Sequence, residues 1–339
     1  MKIVIDVFGA DYPEEVVKGA VTAANLIEDV KLVLTGDKEK IQKVMDECGY
    51  TGDRIEIIHA PEVIDCNESP TMAIRRKKDS SLVSALNLLK EDKDVIGMIS
   101  AGSTGAVLAG GLFVVGRMDG VKRPALAPFM PTETGGKVLL IDCGANVDCK
   151  PEYLLQFAIM GSIYVKSMLG IENPRVGLIS NGVEDHKGNE QIHQTFELLK
   201  NCKEINFVGN MEARDMFSGD YDVLVADGFT GNIAMKSAEG TMNTFMSVLK
   251  QEIKGGGLFA KIGAMFLKKT FKKIKSRLSY TEVGGSPFLG IEKILIKSHG
   301  SSKAKTIYSC VLQVLEIHKS NYIEKMREGI KNSSIAGEK

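Results

Sequence analysis

Short apolar runs bounded by glycine turns recur along the chain, and most lead into a longer stretch with helical spacing. KIVIDV (2–7), VKLVLTG (30–36), RIEIIHA (54–60) and VIGMISAG (95–102) read as strands in the first part. VLLIDCG (138–144), RVGLISNG (175–182), INFVGN (205–210), YDVLVADGFTGN (221–232) and GIEKILIKSHGSS (290–302) follow in the second. Their near-continuous Val, Ile and Leu content is that of strands buried on both faces. Helical patterns lie between them, over about 14–28, 151–169, 233–253 and 303–328. The stretch from 60 to 81 reads as a polar loop. This alternation predicts an α/β fold with a mostly parallel sheet and helices on both faces. A single unit over 1–330 is expected, with possible lobes near 1–130 and 131–330 around a cleft, and a frayed polar tail at 331–339.

One segment breaks the rhythm. Residues 253–281 contain no Asp or Glu and carry eight basic residues, Lys268 and Lys272 among them. Ala264, Leu267, Phe271, Ile274 and Leu278 fall at +3 and +4 steps on one helical face. Leu258, Phe259, Ile262, Met265 and Phe266 form an apolar block ahead of it. Apolar plus cationic is the pattern of a protruding helix lying on an anionic membrane surface. The alternative is a surface helix whose apolar side packs on the protein's own core. A second basic run, Arg75 to Lys78, reads either as a solvated face or as a contact for an acidic partner.

Composition narrows the function by exclusion. The formal net charge is zero, so bulk charge selects no partner, nucleic acid included. Six cysteines stand without a CxxC pair or zinc spacing, as in reduced cytosolic proteins. The chain opens directly on a strand pattern with no signal peptide, and no apolar run reaches about 18 residues, so a cytoplasmic location is expected. No GxGxxG follows the first strand, and neither GxxxxGK[ST] nor GxSxG occurs, which argues against dinucleotide, P-loop and serine hydrolase chemistry. No metal motif is present, and neither metal nor cofactor is expected.

The chemistry left over lies at strand ends, where open α/β sheets bind ligands. IDCGANVDCK places Asn146 and Asp148 at the lip of a strand, either as part of a site or as turn and capping residues. Gly102-Ser103-Thr104-Gly105 opens a helix with free amides, suited to an anion or simply to close packing. Asp6 and Gly9 follow the first strand, Lys187 lies in the loop 183–190, Asp227, Gly231 and Asn232 in DGFTGN, and His299 in SHGSS. Such a set can bind an anion and polarise a carbonyl. It holds no evident covalent nucleophile.

IDCGANVDCKPEYLLQFAIMGSIY, ENPRVGLISNGVEDHKGNE, DGFTGN and GGSPFLGIEKILIKSHGSS closely resemble the phosphate acyltransferase family PlsX, over about 1–330. The first turn departs from that family's usual Asp-Ala-Met-Gly-Gly-Asp, with Phe8 and Ala10 here, and Ser103 stands where Asn is common. Asp6, Gly9 and Asp11 remain. The resemblance implies transfer of an acyl group from acyl carrier protein to inorganic phosphate. The acyl phosphate product would pass to a glycerol-3-phosphate acyltransferase for phosphatidic acid synthesis. It also implies a fold like the isocitrate and isopropylmalate dehydrogenases and the phosphotransacetylases, a homodimer, and peripheral membrane association. Within the family pattern Lys187 and Asn232 are the first choices for oxyanion and phosphate contacts, with Asn146, Asp148 and His299 in support. Asp6, Gly9, Gly102, Ser103, Thr104, Gly105, Asp227 and Gly231 are candidate phosphate or substrate contacts. A phosphotransacetylase-like enzyme using acyl-coenzyme A is the alternative.

Overall fold

A computed structural model describes residues 1–271, 274 and 284–333. The chain runs β1 (Lys2–Asp6), α1 (Pro13–Leu26), β2 (Lys31–Gly36), α2 (Lys38–Glu47), β3 (Ile55–His59), α3 (Pro70–Arg76), α4 (Ser81–Glu91), β4 (Val95–Ser100) and α5 (Thr104–Gly110). A π-helical turn, Gly111–Val115, extends α5. Next come β5 (Ala125–Leu126), β6 (Phe129–Pro131), β7 (Lys137–Ile141), α6 (Pro151–Leu169), β8 (Arg175–Ser180), α7 (Glu190–Asn201), β9 (Asn206–Glu212) and β10 (Val223–Val225). The remainder is α8 (Gly228–Gly255), α9 (Gly257–Phe266), β11 (Ser286–Leu289), β12 (Ile294–Lys297), α10 (Ala304–Lys319) and α11 (Tyr322–Asn332).

The strands form two sheets, with orders β3-β2-β1-β4-β12-β11-β5 and β6-β7-β10-β8-β9. Pairing is parallel except where β11, β5 and β6 join. The expected α/β architecture is present, split over two sheets instead of one. A division at 130 would cut β6, while the change of sheet comes just before it, between β5 and β6, and β11 and β12 return to the first sheet. The reason is packing: Leu295 and Ile296 fill the place beside β4 that no earlier strand occupies.

Alternating side chains of both sheets feed two continuous cores. Ile3, Ile5, Leu139 and Ile141 meet α1, α6 and α10 on one face. Val4, Met98, Leu295, Leu140 and Leu224 meet α4 and α5 on the other. Each core runs under both sheets, which accounts for the absence of a linker.

Two expectations are corrected. The supposed loop 60–81 contains α3, started by Ser69 and by Pro70 at the first helical position. The single terminal helix breaks into α10 and α11 at Asn321, whose φ of 55° is left-handed.

Of the segment 253–281, the described part continues α8 into α9. Phe259 is 90% exposed, Phe266 81% and Met265 67%. Leu267, Lys268 and Ile274 are also exposed, and Phe271 is partly buried. Lys272 and Leu278 lie outside the described residues. The most open apolar side chains thus belong to the block ahead of the expected face. Among the described residues no helix is long and apolar enough to cross a membrane.

Candidate active site

The C-terminal ends of β7, β10 and β8 form one wall. Asp142 follows β7, fully buried, and its carboxylate accepts hydrogen bonds from the backbone N–H groups of Leu126 (2.9 Å), Gly144 (3.2 Å), Ala145 (3.1 Å) and Asn146 (2.6 Å). The Asn146 side-chain amide donates to Asp142 Oδ2 (2.9 Å) and to the Pro124 carbonyl (2.8 Å). Burial raises the Asp142 pKa above the usual carboxylate range, against the pull of the Leu126 and Ala145 amides. Asp142 therefore clasps the turn to the first sheet. Both amide hydrogens of Asn146 are spent on the same clasp, so its part is to position the turn.

The first turn of α8 seats on this clasp. Gly228 N–H donates to the Asn146 carbonyl at 2.7 Å. A Cβ on Gly231 would overlap the Asp142 carbonyl oxygen, so glycine here permits close backbone approach. Asp227 caps the helix, accepting from Thr230 N–H (2.8 Å) and Thr230 Oγ1 (2.9 Å). What emerges is Asn232, exposed, its amide beside Gly144 and without a protein hydrogen bond.

Lys187 stands at the end of β8, the strand next to β10. Its loop is fixed by Asn210 donating to the Glu184 carbonyl (2.9 Å) and by the Asn189 cap of α7. Gln191 at the start of α7 donates to the Cys149 carbonyl (2.7 Å), tying this loop to the 142–150 turn. The Lys187 stem packs on Gly182, leaving the ammonium without a protein partner. Asp148 is exposed and makes no protein contact that orients it.

A second wall belongs to the first sheet. Asp6 at the end of β1 accepts from Ser100 Oγ (2.7 Å) and from Gly9 N–H (3.3 Å), and Gly102 N–H donates to Ser100 Oγ (3.1 Å). Gly9 and Gly102 lie back to back, since a Cβ on Gly9 would come within 2.8 Å of Gly102 Cα. Asp6 thus fastens the two turns together. Ser103, Thr104 and Gly105 remain partly exposed at the start of α5, which has no side-chain cap.

His299, just past β12, accepts at Nδ1 from Ser301 N–H (3.2 Å), so the neutral ring carries its proton on Nε2, which is free to donate. Its pKa is lowered by burial of part of the ring and then by the charges of Lys236 and Lys297. Lys236 lies in α8 and acts on Cys143 as well, so the two walls share one electrostatic field.

Sequence reasoning passed over Lys297, Lys236 and Asp142. The thiols beside the site are held as thiols: burial carries Cys149 up to about 12 and Cys143 well above its ordinary value. Among the described residues no His, Cys, Asp and Glu cluster could hold a metal ion.

Comparison with known proteins gives the family and the fold. The profile of a family described as fatty acid synthesis protein matches residues 1–325. A phosphate acyltransferase of Clostridium tetani is 48% identical over 98% of this chain and 98% of its own. One from Dictyoglomus turgidum is 43% identical over the full length of both. Among solved structures, a phosphotransacetylase from Streptococcus pyogenes shares the fold at a TM-score of 0.59 and 18% identity, covering 96% of this chain and 94% of its own. The EutD phosphotransacetylase of Staphylococcus aureus does so at 0.58 and 16%, covering 97% and 94%.

Proposed function

The chain belongs to the fatty acid synthesis protein family, and from that premise we propose that it is a phosphate acyltransferase that moves an acyl group from acyl carrier protein to inorganic phosphate. One observation carries the reading: the buried carboxylates Asp6, Asp142 and Asp227 are consumed in holding turns, and donors stand uncommitted at the same strand ends. Those donors are the Lys187 ammonium, the Asn232 amide, His299 Nε2–H and the first amides of α5.

A site rich in donors suits this reaction. A phosphate group has a second pKa of about 6, so inorganic phosphate is largely dianionic at neutral pH and needs little activation. The leaving thiol has a pKa near 8.5 and departs as thiolate with little acid help. What remains is to hold two reactants in register and to stabilise the oxyanion on the thioester carbon. Lys187 and Asn232 of the second-sheet wall take the oxyanion in this reading. His299 and the α5 amides face the phosphate.

The exposed apolar side chains of α9, with the basic residues around them, support reversible attachment to an anionic membrane. There the product would be handed to a glycerol-3-phosphate acyltransferase. A homodimer belongs to the same reading. Its test is phosphate-dependent release of free carrier thiol from palmitoyl-carrier protein by the purified enzyme. Release from palmitoyl-coenzyme A alone would select the coenzyme A alternative instead.

A further inference from the structure

We propose that Lys297 is the cation that receives the phosphate co-substrate on the first-sheet wall. This rests on the phosphate acyltransferase reading and adds to it a residue from inside a strand.

The register across three parallel strands builds the site. Asp6 of β1 pairs with Ser100 of β4, and Ser100 pairs with Lys297 of β12. Register partners in parallel strands point to the same face. On that face the row behind is Val4, Met98 and Leu295, all buried core. Polarity begins only at the last row before the strands end, where Asp6 and Ser100 are sealed and Lys297 is partly open.

The ammonium has donors to spare. Lysine carries three N–H donors, and Lys297 gives one to the Ser298 carbonyl. Asp6 is already engaged by Ser100 and Gly9 and makes no hydrogen bond to Lys297. Two donors are therefore left for a ligand. The groups around the ammonium are Asp6 and Asp11 from β1 and its loop, Cys66 from the loop before α3, Cys310 from α10, and His299 just past its own strand. Burial pulls the Lys297 pKa down to about 8, with those carboxylates and thiols opposing. A part-buried charge in this state gains most from a dianion, and a lysine ammonium serves phosphate as a point charge. The thioester carbonyl is served from the other wall, so phosphate is the ligand left for this one.

Lys297→Met and Lys297→Arg test the assignment, with inorganic phosphate titrated calorimetrically into the whole protein and steady-state kinetics alongside. Loss of a charged hydrogen bond predicts phosphate binding about 10- to 100-fold weaker in Lys297→Met, with the acyl-carrier KM little changed. In the wild type, phosphate affinity falls as pH rises through about 8, because the folded-state ammonium deprotonates there. Lys297→Arg stays charged and keeps its affinity at higher pH. A folded Lys297→Met protein that binds phosphate as the wild type does overturns the proposal. So does an alkaline profile shared by wild type and Lys297→Arg, which decides the matter should Lys297→Met fail to fold. Phosphate binding that depends on Lys297, in a protein releasing no carrier thiol, would uphold this site and overturn the acyl transfer reading.

Discussion

Gly231→Ala probes the contact on which the second-sheet wall depends. An added methyl would overlap the Asp142 carbonyl oxygen and stand 3.1 Å from its carbonyl carbon and 3.4 Å from Cys143 Cα. All three neighbours are backbone, so no side chain can swing aside. The helix start must withdraw from the clasp by on the order of 1 Å, taking Asn232 away from Gly144. Overpacking of this kind costs about 1–3 kcal/mol, which lowers the melting temperature by a few degrees. Catalysis should suffer more than stability, because a misplacement of about 1 Å in a positioned group can cost about 100-fold in rate. Gly240→Ala is the control: it lies in the same helix with nothing within 4 Å of the added carbon. It should stabilise the protein by about 0.5–1 kcal/mol through helix propensity and leave the rate alone. The assay is carrier-thiol release against phosphate concentration, with thermal melting of each variant. A Gly231→Ala enzyme that melts normally and keeps its kcat would refute the claim that this approach places Asn232.

Lys187→Ala and Asn232→Ala should each lower kcat by about 100- to 1000-fold with melting unchanged, and near-original turnover would remove them from the oxyanion role. Arg75→Glu with Arg76→Glu should raise the carrier-protein KM at low salt and spare that for phosphate. Lys77 is left out because it is already bound to Glu68 (2.6 Å) and the Val63 carbonyl (2.7 Å); an unchanged carrier KM excludes the patch. The His299 pKa lies below its ordinary 6.5, so the fall in activity that its protonation causes should lie on the acid side of that value. Lys236→Met removes a charge that opposes protonation and should move this limb upward; a fixed limb assigns it to another group. Anionic vesicles should sediment the protein and neutral ones should not, with Leu267→Glu plus Phe271→Glu abolishing the effect. Unfolding or loss of a dimer in that double variant would mean the face packs on protein.

The long strands were legible because burial on both faces leaves an unbroken apolar run, and their ends named most of the candidate site. β5 and β11 were not, since two and four residues carry no period. In α3 a signal was present in Ser69-Pro70 and was outweighed by the polar residues around it. Asp142 hid its clasp because one of its partners, Leu126, lies 16 residues earlier. Lys297 ends ILIK like any edge lysine. Its meaning depends on the register of β12 against β4 and of β4 against β1, and β4 and β12 are separated by nearly 200 residues of chain.

These hidden residues show how the polar groups divide. Asp6, Asp142 and Asp227, sunk at strand ends, bind turns or a helix start to their sheets, and so fix the direction of donors beside them. Asp142 holds Asn146 and the turn on which Asn232 rests, Asp227 starts α8, and Asp6 with Ser100 lies beside Lys297. Preorganisation of this sort has a stability cost, because unpaired donors gather where ligand is to bind, and it removes that reorganisation from the reaction itself. Helix α8 then carries the arrangement outward. Its 28 residues span about 42 Å, with Asn232 in its first turns and the exposed phenylalanines of α9 beyond its far end. A membrane contact made there can decide where the enzyme sits without touching the groups that do the chemistry.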